Sequence, residues 1–269
     1  MKTKLTKKEI IVVLVSVIFL LLNIGAIDRT GHRRAKEMVC LSNLYKWGAI
    51  FQTYTNNNNG YFYSGQSGSP GYWWIIDLEE RYQSYKQNRL WFCPEANKPM
   101  TDENGVYPPT FNVFNAWGIF TRAVNSNLNT DGIAGSYGLN GYVLNISGVA
   151  FEGGIPASAA WRTPNVSGAG IVPVFMDALR FDLWPRVTDP PAFNEIAAWS
   201  GNSMARCCIN RHNGGVNSLF MDWSVRKVGL KELWKLKWHR NFHTEGPWTK
   251  AGGVQPFDWP AWMRNFKEF

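Results

Sequence analysis

The sequence predicts an α+β fold, with one long N-terminal helix packed on an antiparallel β-sheet head that carries long loops. Three observations predict it: an apolar run near the N-terminus, a helical stripe directly after it, and short β-like runs separated by Gly, Pro, Asn and Ser. Residues 10–27 read IIVVLVSVIFLLLNIGAI, with Ser16 and Asn23 the only clearly polar side chains. Eighteen residues at ~1.5 Å each span about 27 Å, the length of a transmembrane helix. No small-residue cleavage site follows, so the run reads as a retained anchor. Lys2, Lys4, Lys7 and Lys8 precede it, which favours a cytoplasmic N-terminus and a head outside the inner (cytoplasmic) membrane.

The helix pattern continues past the apolar run. Cys40, Leu44, Trp47, Phe51 and Tyr54 recur at spacings of four, three, four and three, the stripe of an amphipathic helix. Asn56 to Asn59 and Gly60 end it, because Asn and Gly favour turn conformations. The expected organisation is a basic terminus at 1–9, a membrane helix at 10–27, a stalk helix at 28–55, a head at 56–230 and an aromatic, basic extension at 231–269. In the head, residues 171–176, 216–221 and 224–228 are β-like. The last two enclose Asp222 and Trp223, which predicts a tight hairpin.

With 14 Trp and 18% charged residues, the chain has the composition of a packed domain rather than a disordered one. The formal charge of +8 is partly membrane topology: the N-terminal lysines and Arg29, Arg33, Arg34 and Lys36 bracket the apolar run. A second basic set from Arg226 to Arg240, interleaved with Trp234, Leu236 and Trp238, reads as the solvated side of a packed segment. Nucleic acid is therefore not an expected partner.

Four cysteines suit an oxidising compartment. A Cys40–Cys93 disulfide would clip a loop-rich region onto the helix, worth about 2–4 kcal/mol. Cys207 and Cys208 are adjacent and read as two small buried residues facing opposite sides of a strand. No C-x-x-C and no paired ligand set occurs, so neither a structural zinc nor any other cofactor is expected.

Three stretches carry a family resemblance. The first is Cys40-Leu41-Ser42-Asn43-Leu44 followed by Asn59-Gly60-Tyr61-Phe62. The second is Phe92-Cys93-Pro94 with Ser136-Tyr137-Gly138-Leu139-Asn140. The third is Arg211-His212-Asn213-Gly214-Gly215-Val216-Asn217, ending at Asp222 with nine residues between His212 and Asp222. Together they resemble bacterial pilin-like proteins with a prepilin-type N-terminus and a processing-associated H-X9-DG domain. The resemblance implies a structural or assembly protein of the type IV pilus or type II secretion kind, without catalysis. It makes other pilin-like subunits, or copies of the chain, the expected partners alongside the membrane. Glu9 would be the assembly residue, matching the family's acid that pairs with a neighbour's N-terminal amine. His212, Gly214, Gly215, Asn217 and Asp222 would be structural motif residues. Two positions depart from the family: Lys4 stands where the glycine before the peptidase cut belongs, and Trp223 replaces the glycine after Asp222, so the hairpin is expected to use a turn other than the primed two-residue one.

The remaining chemistry-bearing residues read as structural. His212 and Asp222 would lie at opposite ends of one strand, roughly 30 Å apart, too far to share a metal. His239 and His243 are spaced for one helical face but lack a third ligand. Asp177 and Asp182 do not form a calcium loop. Glu79, Glu80, Asp102 and Glu103 are the acids open to a hydrolase. Exposed aromatics at Tyr72, Trp73, Trp74, Trp248, Trp259 and Trp262 support an alternative, a membrane-anchored carbohydrate-binding head with glycan as its ligand.

Overall fold

A computed structural model describes residues 6–64, 88–99, 112–119, 133–146, 155–196 and 201–269. The side chains at 9, 20–29, 98–99, 118–119 and 133 lie outside that description. Helix α1 spans Lys7–Asn57 without a break. One stripe of its C-terminal half is buried: Cys40, Leu44, Trp47 and Phe51 are each 0% exposed. Trp47 is the centre of this seam, edge-on to Trp91 and Phe175 at 5.0 and 5.3 Å. Two side-chain bonds fix the helix to the segment after residue 88: Trp47 Nε1 donates to the Leu90 carbonyl at 2.9 Å and Asn43 Nδ2 to that of Phe92 at 3.0 Å. The helix ends where Gly60 takes φ +80°, with its N–H returning to the Thr55 carbonyl.

The helix packs mainly on a five-stranded sheet. Its strands are β4 (Tyr137–Asn140), β5 (Pro173–Asp177), β6 (Asp182–Leu183), β7 (Gly215–Phe220) and β8 (Val225–Gly229), in the order β6-β4-β5-β7-β8. A smaller sheet holds β1 (Lys98–Pro99), β2 (Asn115–Ile119) and β3 (Ile133–Gly135). A one-turn helix, α2 (Ser203–Cys207), precedes β7.

Two expectations are corrected here. The sheet is mixed, not antiparallel: β6 runs parallel to β4, with Leu139 opposite Asp182. Such a short strand carries no alternation from which its direction can be read. Residues 178–183 reach it by passing over Gly138, where a Cβ would lie 2.4 Å from the Arg180 carbonyl oxygen.

Second, no helix among the described residues is long and apolar enough to cross a membrane. The single-pass anchor, and the inner-membrane location inferred from it, therefore fall.

The β7–β8 hairpin forms, and its connection is not a two-residue turn, as Trp223 in the glycine place leads one to expect. Leu219 pairs with Val225, and Trp223 sits at φ +66° with its N–H on the Phe220 carbonyl. Trp223 ends the four-residue turn 220–223 in the left-handed region, and the Phe220 N–H then reaches the Ser224 carbonyl at 2.9 Å. The hairpin thus closes with an extra position, and Trp223 occupies the place glycine would favour.

The C-terminal segment belongs to the core. Trp234, Trp238, Phe242, Trp259 and Met263 are all buried. The Trp238 carbonyl accepts from Asn140 Nδ2 and Trp161 Nε1, both at 2.9 Å, which ties the segment to the end of β4. The aromatic richness of this region is therefore largely core packing.

Candidate functional site: a buried polar cluster and an aromatic groove

Cys40, Cys93, Asp177 and His212 converge beneath the helix. Four separate segments supply them: the middle of α1, the loop after residue 91, the end of β5 and the bend before β7. One ligand-type atom from each lies within 4.8 Å of the others, and all four residues are buried. Cys40 Sγ is 3.6 and 3.7 Å from the two Asp177 oxygens. Cys93 Sγ is 3.4 Å from His212 Nε2, which is itself 3.1 Å from Asp177 Oδ2. Both cysteines are thiols.

The surrounding shell is polar and ordered. Tyr137 Oη donates to Cys40 Sγ at 3.4 Å, and the Asn217 backbone N–H to Asp177 Oδ2 at 2.9 Å. The Cys93 backbone N–H reaches Ser136 Oγ at 2.5 Å. Arg211 fans out from the same bend, donating to the carbonyls of Val113, Ser136 and Asn115 at 2.6, 2.6 and 3.0 Å and to Asp177 Oδ1 at 3.4 Å.

Charges in so dry a site are strongly coupled. Burial pushes the Asp177 carboxyl up, but His212 and Arg211 outweigh it and hold it at about 2. Burial pushes His212 down, but Asp177 and Cys93 raise it to about 10. Burial also drives both thiols above their ordinary value. Asp177, His212 and Arg211 thus stabilise one another's charges, while burial favours the neutral thiols beside them.

Local sequence explains the placement of His212. Asn213 and Gly214 take φ +48° and +84°, bending the chain so that the His212 N–H meets the Gly215 carbonyl. Asn210 Oδ1 accepts from the Gly214 N–H at 2.7 Å and steadies the bend. Gly215 admits no Cβ, which would lie 2.6 Å from the Val228 carbonyl oxygen. Asn217 Nδ2 reaches across to the Glu37 carbonyl on the helix at 3.4 Å.

His212 and Asp222 are not brought together. Asp222 is in the hairpin, accepting from the Ser224 N–H and hydroxyl at 3.0 and 2.6 Å. The acid that meets His212 is Asp177, from the neighbouring strand. Asp182 stays apart, paired with Arg180 Nε at 2.6 Å and Trp184 Nε1 at 2.9 Å. His239 and His243 share no helix; they follow the short turn Leu230–Lys235. His239 is buried against Tyr142 and Phe242, and burial, then Lys237, lowers its pKa to about 4, whereas His243 is exposed. Cys207 and Cys208 are buried thiols at the end of α2, not in a strand. The Glu9 side chain, Glu79, Glu80, Tyr72, Trp73, Trp74, Asp102 and Glu103 lie outside the described residues.

In the basic set Lys235 and Arg240 are exposed, while the interleaved Trp234, Leu236 and Trp238 are buried. Arg226 pairs with Glu232 at 2.8 Å, Lys227 with Glu37 at 3.2 Å, and Lys231 with Glu268. Arg240 Nε donates to the Ala160 carbonyl at 2.8 Å.

A groove of about 1010 Å³ is lined by Phe193, Trp248, Phe257, Trp259 and Trp262 with Glu195, Asp258 and Arg264. Trp262 Nε1 is bound to the Ala192 carbonyl at 2.9 Å, and the Trp248 and Trp259 rings are 5.4 Å apart. Phe193 and Phe257 are exposed.

No protein-family model, curated protein or solved structure matches the chain.

Proposed function

We propose that this chain is a non-catalytic structural or assembly subunit of the pilin or pseudopilin kind, associating with like helices through the N-terminal half of α1. The observation that carries the proposal is the exposure of the described apolar side chains in that half. Ile10, Ile11, Val12, Val13, Leu14, Val15, Val17 and Ile18 are each at least 45% exposed. They occupy all sides of the helix, so the surface is a continuous apolar cylinder rather than scattered residues. The other half of the same helix is seated in the head, so a helix bundle would display heads around its outside. The motif resemblance agrees with this division of labour.

Sedimentation of the full chain in detergent-free buffer tests the proposal. The wild type should run as an oligomer. A variant carrying Ile11→Ser, Val15→Ser and Ile18→Ser, on one helical face, should run as a monomer with unchanged circular dichroism. A monomeric wild type, including one recovered only on lipid vesicles, would remove the proposal.

A second reading has its own observation. The groove between Trp248, Phe257 and Trp262 combines flat aromatic side chains with Asp258, Glu195 and Arg264, the composition of a carbohydrate-binding cleft. Titration with a panel of oligosaccharides should quench tryptophan fluorescence in the wild type and lose most of the response in Trp262→Ala. Unchanged fluorescence across the panel would eliminate this reading.

A further inference from the structure

We infer that Cys40, Cys93, Asp177 and His212 form a structural metal site, with zinc(II) as the matching ion, that locks helix α1 to the head. The donor set is two thiolates, one imidazole and one carboxylate. That is four protein ligands with no position left for water, as in closed structural zinc sites.

The spacings match the ion. Tetrahedral zinc with bonds of ~2.3 Å to sulfur and ~2.0–2.1 Å to nitrogen or oxygen holds sulfur about 3.5 Å from nitrogen or oxygen ligands. The same geometry holds nitrogen about 3.3 Å from oxygen. The corresponding separations here are 3.4 Å for Cys93–His212, 3.6 Å for Cys40–Asp177 and 3.1 Å for His212–Asp177. The convergence is also more than hydrogen bonding requires. His212 Nε2 faces Cys93 Sγ and Asp177 Oδ2 together, although it carries at most one proton to donate. An atom aimed between two acceptors in this way is placed as a ligand atom around a shared centre is.

Charge and outer contacts fit as well. Two thiolates and one carboxylate around a divalent ion leave −1, and the Arg211 guanidinium beside Asp177 brings the buried site to zero. A neutral site avoids the cost of an unbalanced buried charge. Tyr137 on Cys40, and the Asn217 N–H and Arg211 on Asp177, supply the outer hydrogen bonds that orient metal ligands. Loading replaces the thiol protons of Cys40 and Cys93, and that of His212, with the metal. Those protons pass to solvent, and no oxidant or reductant is involved.

The test uses the full chain, prepared without a metal-binding tag, stripped with chelator under reducing conditions and then titrated with cobalt(II) and zinc(II). One equivalent of cobalt should give the visible bands of tetrahedral cobalt and a thiolate charge-transfer absorption, both abolished by one equivalent of zinc. In the zinc-loaded protein, two of the four thiols should become reactive only after chelation. Cys93→Ser and Asp177→Asn should each weaken zinc binding at least tenfold, while Cys207→Ser, outside the cluster, should leave it unchanged. The cobalt spectrum of the wild type reports the ligands directly even if a variant fails to fold. Absence of a thiolate charge-transfer band with cobalt in the reduced, folded protein overturns the inference. So does a Cys40–Cys93 disulfide in protein taken from its native source, which reductant opens and chelator does not.

Discussion

Replacing Arg211 by methionine should destabilise the protein by about 3–5 kcal/mol, the cost of leaving a buried charge and its partners unmatched. The guanidinium is fully buried and holds four acceptors at once: the carbonyls of Val113, Asn115 and Ser136 and the carboxylate of Asp177. Methionine is similar in length and fills much of the space, so a cavity is not the main effect. The loss comes from removing four charge-assisted bonds at once. The Ser136 carbonyl keeps the Ala178 N–H, and Asp177 keeps His212 and the Asn217 N–H, so the cost does not sum over every acceptor. Arg211→Lys should recover only part of it, because one ammonium cannot reach carbonyls fanned around a planar fork. Urea denaturation measures this directly. A loss below about 1 kcal/mol for Arg211→Met would show that water or a shifted backbone replaces the fan.

That fan also shows where sequence reading reaches its limit. The Arg211-His212-Asn213-Gly214-Gly215 stretch was visible as a motif, and its glycines explain themselves through one bend and one close approach. The partner of His212 was not visible. Sequence spacing relates His212 to Asp222 along a single strand, whereas the contact that forms runs across the sheet to Asp177 on β5. Nothing in a one-dimensional pattern encodes which residue of a neighbouring strand comes opposite, since register is set by packing. The same holds for Cys40 and Cys93. Their proximity could be guessed from cysteine count, but the acid and the imidazole between them could not. Metal-ligand spacing rules read ligands from one or two short loops, and here four distant segments contribute one each.

The helix stripe was legible for the opposite reason. Cys40, Leu44, Trp47 and Phe51 repeat along a single element, and periodicity records which side of that element is buried. It does not record what covers the remaining sides. Residues 10–19 are apolar all round, and composition alone cast them as part of a bilayer span, a reading that fails on the described helix. The tryptophans after residue 231 had the same ambiguity. Trp234 and Trp238 went into the core, Trp248 and Trp262 line the groove, and Trp259 is buried at its border. Only tertiary placement separates the two groups.

The seam under the helix yields the other large effect. Trp47→Ala should cost about 3–5 kcal/mol, the range for deleting a large aromatic from a packed core. Trp47 is 0% exposed, and its ring meets Phe51, Trp91 and Phe175, each within 6.0 Å. Its Nε1 bond to the Leu90 carbonyl disappears with it and leaves that acceptor buried. Trp47→Phe would keep much of the packing and lose the bond, so its expected cost is nearer 1–2 kcal/mol. The location of the damage matters more than its size. Leu90 and Phe92 precede Cys93, so loosening them should also weaken the cysteine cluster. In Trp47→Ala, Cys93 should therefore alkylate faster than in the wild type under native conditions. Ile11→Ser, on the exposed half of the same helix, should alter neither the unfolding midpoint nor that rate. If Trp47→Ala unfolds at the wild-type midpoint, the helix is not held by this seam. The link between the exposed half of α1 and a rigidly seated head would then fail with it.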